Sequence, residues 1–203
     1  MGIAERKERE KLEIKELILL KAKEIMVNEG QEKLSIRKIA AAVEYSPATI
    51  YLYFQDKDEI IYEMMQFGFG MMAKYFDADL QEQNAAVRIR KVGEGYIRFG
   101  MENPDWYDLM FNSLQPIKHI EKCKAEWGVG IGLFEMLVAA CDEAVPAEKR
   151  KRVDPRILAL QMWSNVHGLV NLYHSQRLNV VGDEKPEKLI VQTLDLMIYT
   201  ILN

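Results

Sequence analysis

The chain has 203 residues but only two cysteines, Cys123 and Cys141, and neither stands in a CxxC or other metal-ligand spacing. That excludes a disulfide framework and a zinc knuckle, so both read as reduced, packed thiols. His119 and Cys123 lie four apart on a helical stretch, yet a third and fourth ligand at a suitable spacing is missing. The pair reads as structural, and no metal or cofactor is implied. No apolar run approaches the roughly 20 residues that cross a bilayer, and the most apolar stretch, residues 60–76, is broken by Glu63, Gln66 and Lys74. The first residues are rich in Lys and Glu instead of forming a basic segment that leads into an apolar one. The expectation is a cytoplasmic protein with no signal peptide and no membrane partner. Also missing are a phosphate-binding glycine loop, a nucleophile motif and a paired-carboxylate arrangement, so no catalytic residue set is implied and an enzyme is not expected. Nor is there surplus positive charge, since 27 Lys and Arg against 31 Asp and Glu leave a formal −4. Any contact with nucleic acid must then come from a local face, for which Lys33, Arg37, Lys38 and Lys57 are the candidates.

What the chain does have is helical periodicity. Hydrophobic residues make up 49%, charged residues 29%, and there are 11 Met, while runs of β-branched residues are scarce, which favours helices. From Arg6 to Glu29 apolar side chains fall at Ile14, Leu17, Ile18, Ala22, Ile25 and Met26, one helical face, with Gly30 as a stop. Ser35 caps a short helix to Val43, and after Glu44 and Tyr45 a second short helix is capped by Ser46, begins at Pro47 and runs to about Tyr53. Asp56, with an acid three residues on, starts a long helix through Met72. Further helices are expected over residues 85–101, 106–114 and 117–142, then from Asp154 and Pro155 to about Leu178, and from Pro186 onward, with a charged loop over 146–152. The fold class is all-α, about nine helices without a strand, divided into a domain over residues 1–56 and a larger one over 57–203.

The most informative stretch is LSIRKIAAAVEYSPATIYLYFQDKDEII, residues 34–61. Two short helices joined by a tight turn are what seats one helix in a DNA major groove. Ile36, Ile39, Ala40, Val43, Ile50 and Phe54 form the core that sets the angle between those helices, with Tyr51 and Tyr53 turned outward. The stretch closely resembles the DNA-binding signature of the TetR family in its Ile39-Ala40 pair, Ser46, Thr49, Ile50, Tyr51, Tyr53, Phe54 and Lys57. That resemblance implies a helix-turn-helix domain in which Ser46 caps the recognition helix and Pro47, Ala48, Thr49, Leu52 and Tyr53 face the groove. Tyr51 and Lys57 would reach phosphates, and Arg37 a base edge or phosphate. Two departures stand out. Where the family has Gly and a small apolar residue in the turn, this chain has Glu44 and Tyr45, and a non-glycine residue in a left-handed conformation costs roughly 1–2 kcal/mol. The recognition helix also offers little polar reach, which shifts readout toward apolar contact with thymine methyls.

Farther on, Trp163 and His167-Gly168 within MWSNVHGLVNLYH, together with NPDWYDLMF, resemble the Trp-His-Gly class of TetR C-terminal domains. Trp163 and His167 share a helix face, where they either line a cavity or pack as core. Met64, Phe67, Met71, Phe99, Tyr107, Met110, Phe111, Trp127 and Phe134 supply an apolar, adaptable surround, either as core or as the cavity in which the family takes its effector. Tyr96 and Met136 belong to the same surplus. The last two helices carry apolar faces at Leu160, Val166, Leu169 and Val170 and at Ile190, Leu194, Met197 and Ile201, which in the family pair across a two-fold axis. The implied function is a ligand-released repressor, a homodimer on a palindromic double-stranded operator, answering to a small apolar or amphipathic effector. The rival is a helical ligand-binding or protein-interaction protein with a degenerate DNA-binding motif, favoured by the acid-rich first helix and the Glu44-Tyr45 turn.

Overall fold

The computed structural model describes residues 2–76, 82–113, 117, 119–120, 128–146, 153–181 and 184–202. Among them the chain forms nine helices and no strand: α1 (Ile3–Glu29), α2 (Ile36–Ala42), α3 (Pro47–Ile50), α4 (Lys57–Ala73), α5 (Ala85–Glu102), α6 (Pro104–Tyr107), α7 (Gly128–Ala144), α8 (Pro155–His174) and α9 (Pro186–Leu202). The all-α class is the one that the periodicity implies. The N-caps also fall where expected, with Ser35, Ser46 and Asp154 each accepting a hydrogen bond from a backbone N–H in the first turn.

Three elements differ in extent from the sequence reading. The second short helix is regular only from Pro47 to Ile50; beyond it the Leu52 N–H bonds Thr49 O at 3.1 Å and the Tyr53 N–H bonds Ile50 O at 3.0 Å, so its last turn tightens to i→i+3 spacing. The segment expected over 106–114 begins two residues earlier, because Pro104 fits the first helical position, and it continues from α6 into a π-turn over Asp108–Asn112. Helix α8 stops at His174, where Gln176 turns left-handed with φ 60°, and a 3₁₀ turn carries Arg177–Asn179. Of the helix expected over 117–142, residues 118 and 121–127 lie outside the described residues, as do 114 of the helix expected over 106–114 and 147–152 of the expected loop.

By its contacts the chain divides into two compact units, Met1–Phe67 with Leu109–Trp127, and Gly68–Asp108 with Gly128–Asn203. In the first, α1 packs on α2 and α2 on α3 around Ile18, Ala22, Ile25, Leu34, Ile39, Ala40, Val43, Ile50 and Phe54, all buried. In the second, α5, α7 and α8 pack against one another and α9 lies on α5 and α8. One core there joins Ile89 of α5, Ala140, Cys141 and Val145 at the end of α7, and Leu158, Ala159 and Met162 of α8. The Cys141 thiol is fully buried, with its Sγ 3.5 Å from Met162 Sδ, and burial pushes its pKa up to about 11. It is a packed thiol and not a poised nucleophile.

Candidate functional site

In the first unit α2 and α3 form a compact helix-turn-helix. Ile39, Ala40, Val43, Ile50 and Phe54 are buried while Ile36 is half-buried, so α2 and α3 are clamped together from within. The turn between them ends α2 as a Schellman motif: the Tyr45 N–H bonds Ala40 O at 2.9 Å and the Glu44 N–H bonds Ala41 O at 3.3 Å. Such a motif needs a left-handed residue at its penultimate position, and Glu44 adopts φ 58° there. The turn thus keeps the geometry that glycine would adopt without strain, and the chain bears the cost of a side chain in it.

Past this turn Ser46 Oγ accepts the Thr49 N–H at 3.1 Å and lies 2.9 Å from Thr49 Oγ1, which fixes the first turn of α3. Pro47 and Ala48 are exposed, Thr49 is half-buried, Tyr51 is 57% and Leu52 77% exposed, and Tyr53 is half-buried. An exposed tyrosine and leucine thus stand side by side just beyond α3, over a buried underside of Ile50 and Phe54. Arg37 is exposed on α2, whereas its neighbour Lys38 is paired with Glu29. Lys57, half-buried, sits at the first position of α4, where Asp56 Oδ1 accepts the Glu59 N–H at 2.8 Å and the Glu59 carboxylate accepts the Gln55 N–H. Lys15 lies over the Phe54 ring, 5.5 Å from its centroid, and ties α1 to the end of the same segment. The nine residues expected at DNA therefore fall on α2, on α3 with the cap before it and the turn after it, and at the start of α4.

The second unit holds an apolar cavity of about 50 Å³, lined by Ile89, Val92, Gly93 and Tyr96 of α5, Leu137 of α7, Met162, Trp163 and Val166 of α8, and Met197 of α9. A hydrogen-bonded polar chain runs beside it. Trp163 Nε1 donates to Tyr96 Oη at 3.2 Å, Tyr96 Oη lies 3.1 Å from Tyr107 Oη, and Tyr107 Oη lies 2.6 Å from His167 Nδ1. The Asn171 side-chain nitrogen donates to the His167 carbonyl oxygen at 3.0 Å, which fixes which amide atom faces the ring. That nitrogen also lies 3.0 Å from His167 Nε2, so Nε2 accepts and Nδ1 carries the proton toward Tyr107. Burial lowers the His167 pKa and raises those of Tyr96 and Tyr107, so all three stay neutral.

Of the residues expected around an effector, Trp163 lines this cavity, Tyr107 and His167 belong to the polar chain, and Phe134 packs on Trp163 with ring centroids 5.9 Å apart. Phe99 is fully buried and edge-on to Tyr75, and Met71 is half-buried. Met64, Phe67, Met110 and Phe111 fall in the first unit, where Met64 and Met110 are buried, and Trp127 lies outside the described residues. Tyr96 stood in the same Met and aromatic surplus, whereas the other lining residues are ones that sequence reasoning missed for a ligand role, although their spacing was available. Ile89, Val92, Gly93 and Tyr96 recur at three and four along α5, as do Met162, Trp163 and Val166 along α8. Asn171, four residues after His167, was equally legible. Among the described residues no group of three or more His, Cys, Asp or Glu is placed to hold a metal ion, and no helix is long and apolar enough to cross a membrane.

Residues 89–197 match the family model for the tetracyclin repressor-like C-terminal domain, and residues 18–64 match that of the bacterial regulatory proteins of the tetR family. The chain belongs to the TetR family of transcriptional regulators. It is 27% identical over 121 residues to an uncharacterized HTH-type transcriptional regulator of Haemophilus influenzae, an alignment that covers 56% of this chain and 65% of that relative. Its fold is shared with a protein of unknown function from Rhodococcus sp. RHA1 (TM-score 0.72, 16% identity, 93% of this chain and 95% of that one). It is shared as well with a TetR/AcrR regulator from Thermobifida fusca (TM-score 0.65, 18% identity, 92% and 97%) and with the TetR family regulator PfmR from Thermus thermophilus (TM-score 0.64, 20% identity, 90% and 97%).

Proposed function

We propose that this TetR-family regulator is a ligand-released repressor that binds a palindromic operator as a homodimer in the cytoplasm, with residues 1–56 reading DNA and 57–203 sensing the effector and dimerising. The observation that carries the reading is the exposed row Pro47, Ala48, Tyr51 and Leu52, mounted on a fully buried Ile50 and Phe54 at 2% exposure. A contiguous exposed apolar row on a rigid base, unlike singly scattered apolar residues, marks an interaction surface. Pro47, Ala48, Thr49, Leu52 and Tyr53 then face the groove, Ser46 caps their helix, Tyr51 and Lys57 approach the backbone, and Arg37 reaches a base edge or a phosphate. The rival, a degenerate motif, draws its support from Glu44 and Tyr45; the Schellman bonds of that turn favour a working reading head.

A homodimer supplies what a two-fold operator demands, two reading heads about 34 Å apart. Its support is an apolar row left on the last two helices: Ile157 (62% exposed), Leu160 and Leu172 of α8, and Val191, Leu196 (64%) and Tyr199 (67%) of α9. Of the faces read from the sequence, Val166, Leu169, Val170, Ile190 and Leu194 are buried within the unit itself. Leu160 is the one that the exposed row retains. The test is selection from a pool of random duplexes at near-physiological salt, followed by sequencing of what is retained. An enriched two-fold-symmetric site bound by two protomers supports the proposal; weak, salt-sensitive binding without enrichment transfers it to the rival.

A further inference from the structure

The α5–α8 cavity has an unusually one-sided chemistry for a sensor. Its lining includes no charged residue, and only Tyr96 and Trp163 contribute a side-chain nitrogen or oxygen, joined to each other at 3.2 Å. The arginines that flank Ile89 on α5 are already engaged, Arg88 by Glu143 and Arg90 by Asp195 and Glu94. An ionised carboxylate or phosphate brought into this space would lose its water and meet no cation. A hydroxyl meets a different situation, because it both donates and accepts: inserted between Tyr96 and Trp163, it accepts the Trp163 N–H and donates to Tyr96 Oη in place of the 3.2 Å bond that now joins them.

Size narrows the class further. About 50 Å³ is a third of the roughly 150 Å³ in which an engineered apolar cavity takes up benzene. Two of the walls, however, are Met162 and Met197, unbranched side chains that yield by rotating, and Met197 is only half-buried. Tyr96, fixed by Tyr107 and His167, and Trp163, held to Tyr96, do not have that freedom.

We propose that the cavity takes a compact, uncharged molecule of about five to eight heavy atoms bearing one hydroxyl, the phenol class, with the hydroxyl at Tyr96 and Trp163 and the hydrocarbon against Met162 and Met197. This rests on the effector-sensing reading above and deepens it by naming neutrality and a single hydroxyl as the recognised features. Because Tyr96 is bonded to Tyr107 and His167, a hydroxyl bound there reorders the same chain, which sets the α5–α8 contact.

The experiment uses the full chain with phenol, toluene and benzoate as probes, followed by the Trp163 indole N–H resonance and by melting temperature. The resonance is assigned from its loss in Trp163→Phe. Phenol is expected to shift the resonance and raise the melting temperature, to bind about tenfold more tightly than toluene, and to exceed benzoate by about a hundredfold. Tyr96→Phe is expected to abolish the preference for phenol over toluene while toluene still binds. Met197→Trp, which fills the cavity from a half-buried wall, is expected to weaken both. Benzoate binding as tightly as phenol, equal preference in Tyr96→Phe and the parent chain, or no response to any probe overturns the proposal. Binding to a selected duplex is measured in parallel. A regulator that binds DNA but ignores all three probes refutes the ligand class alone, while phenol binding without any operator refutes the regulator reading alone.

Discussion

Glu44 is where the reading head departs most sharply from what its backbone asks for. Its φ of 58° is imposed by the two Schellman bonds that end α2, and a side chain in that region costs about 1–2 kcal/mol. Glycine adopts it without that cost but loses about 0.5–1 kcal/mol more conformational entropy on folding. The difference leaves Glu44→Gly about 0.5–1 kcal/mol more stable than the parent chain, or about 1–4 °C in melting temperature for a chain of this size. Glu44→Ala retains the strain and removes the same exposed carboxylate, so it is expected within about 0.5 kcal/mol of the parent. Urea unfolding of the three proteins separates conformation from charge. A second assay uses the same pair: both variants remove a negative charge one residue from the Tyr45-Ser46 step into α3, and both are expected to bind DNA more tightly at low salt by equal factors. If Glu44→Gly is no more stable than Glu44→Ala, the left-handed turn is not the source of strain and the argument fails.

Three other outcomes follow from the same geometry. Lys57→Ala is expected to lower the slope of log affinity against log salt by about 1, and Tyr51→Phe to weaken operator binding about fivefold, with folding unaffected in both since neither side chain is buried; unchanged affinities would remove these residues from the interface. Gly100→Ala places a Cβ 2.6 Å from Val170 Cγ1 and 3.1 Å from Tyr107 Cδ2, two fully buried neighbours, and is expected to cost about 1–3 kcal/mol in urea unfolding, a loss that a shift of α5 would have to absorb for the variant to match the parent. Burial lowers the His167 pKa below its ordinary 6.5, so the unfolded chain binds the proton first as pH falls. The His167 contribution to stability is therefore complete above about pH 6.5 and declines on acidification until the folded-state pKa is passed; a ring that titrates by NMR at or above 6.5 contradicts this.

Much of the first unit was legible because its signals are local. Ser35 and Ser46, like Asp154 in the second unit, cap helices through bonds to residues two or three positions on, and Pro47 and Pro104 fit first helical positions for a reason internal to one residue, the missing N–H. The strain at Glu44 was also readable, since it follows from chirality and the turn alone. The cavity was not. Met64, Phe67, Met110 and Phe111 suggest a ligand by residue type, and type does not say which face of a helix closes on which neighbour. That Ile89, Gly93 and Tyr96 meet Met162, Trp163 and Met197 depends on four helices packing together across more than 100 residues of chain. The same holds for the chain from Trp163 through Tyr96 and Tyr107 to His167, whose bonds join residues 11 to 71 positions apart. Local bonding and steric preference determined the helices, their caps and the reading head, because each acts within a turn or two. Only tertiary packing decided which apolar side chains became core, which enclosed a cavity and which stayed on the outer faces of α8 and α9, because burial is a property of the assembled helices and not of any one of them.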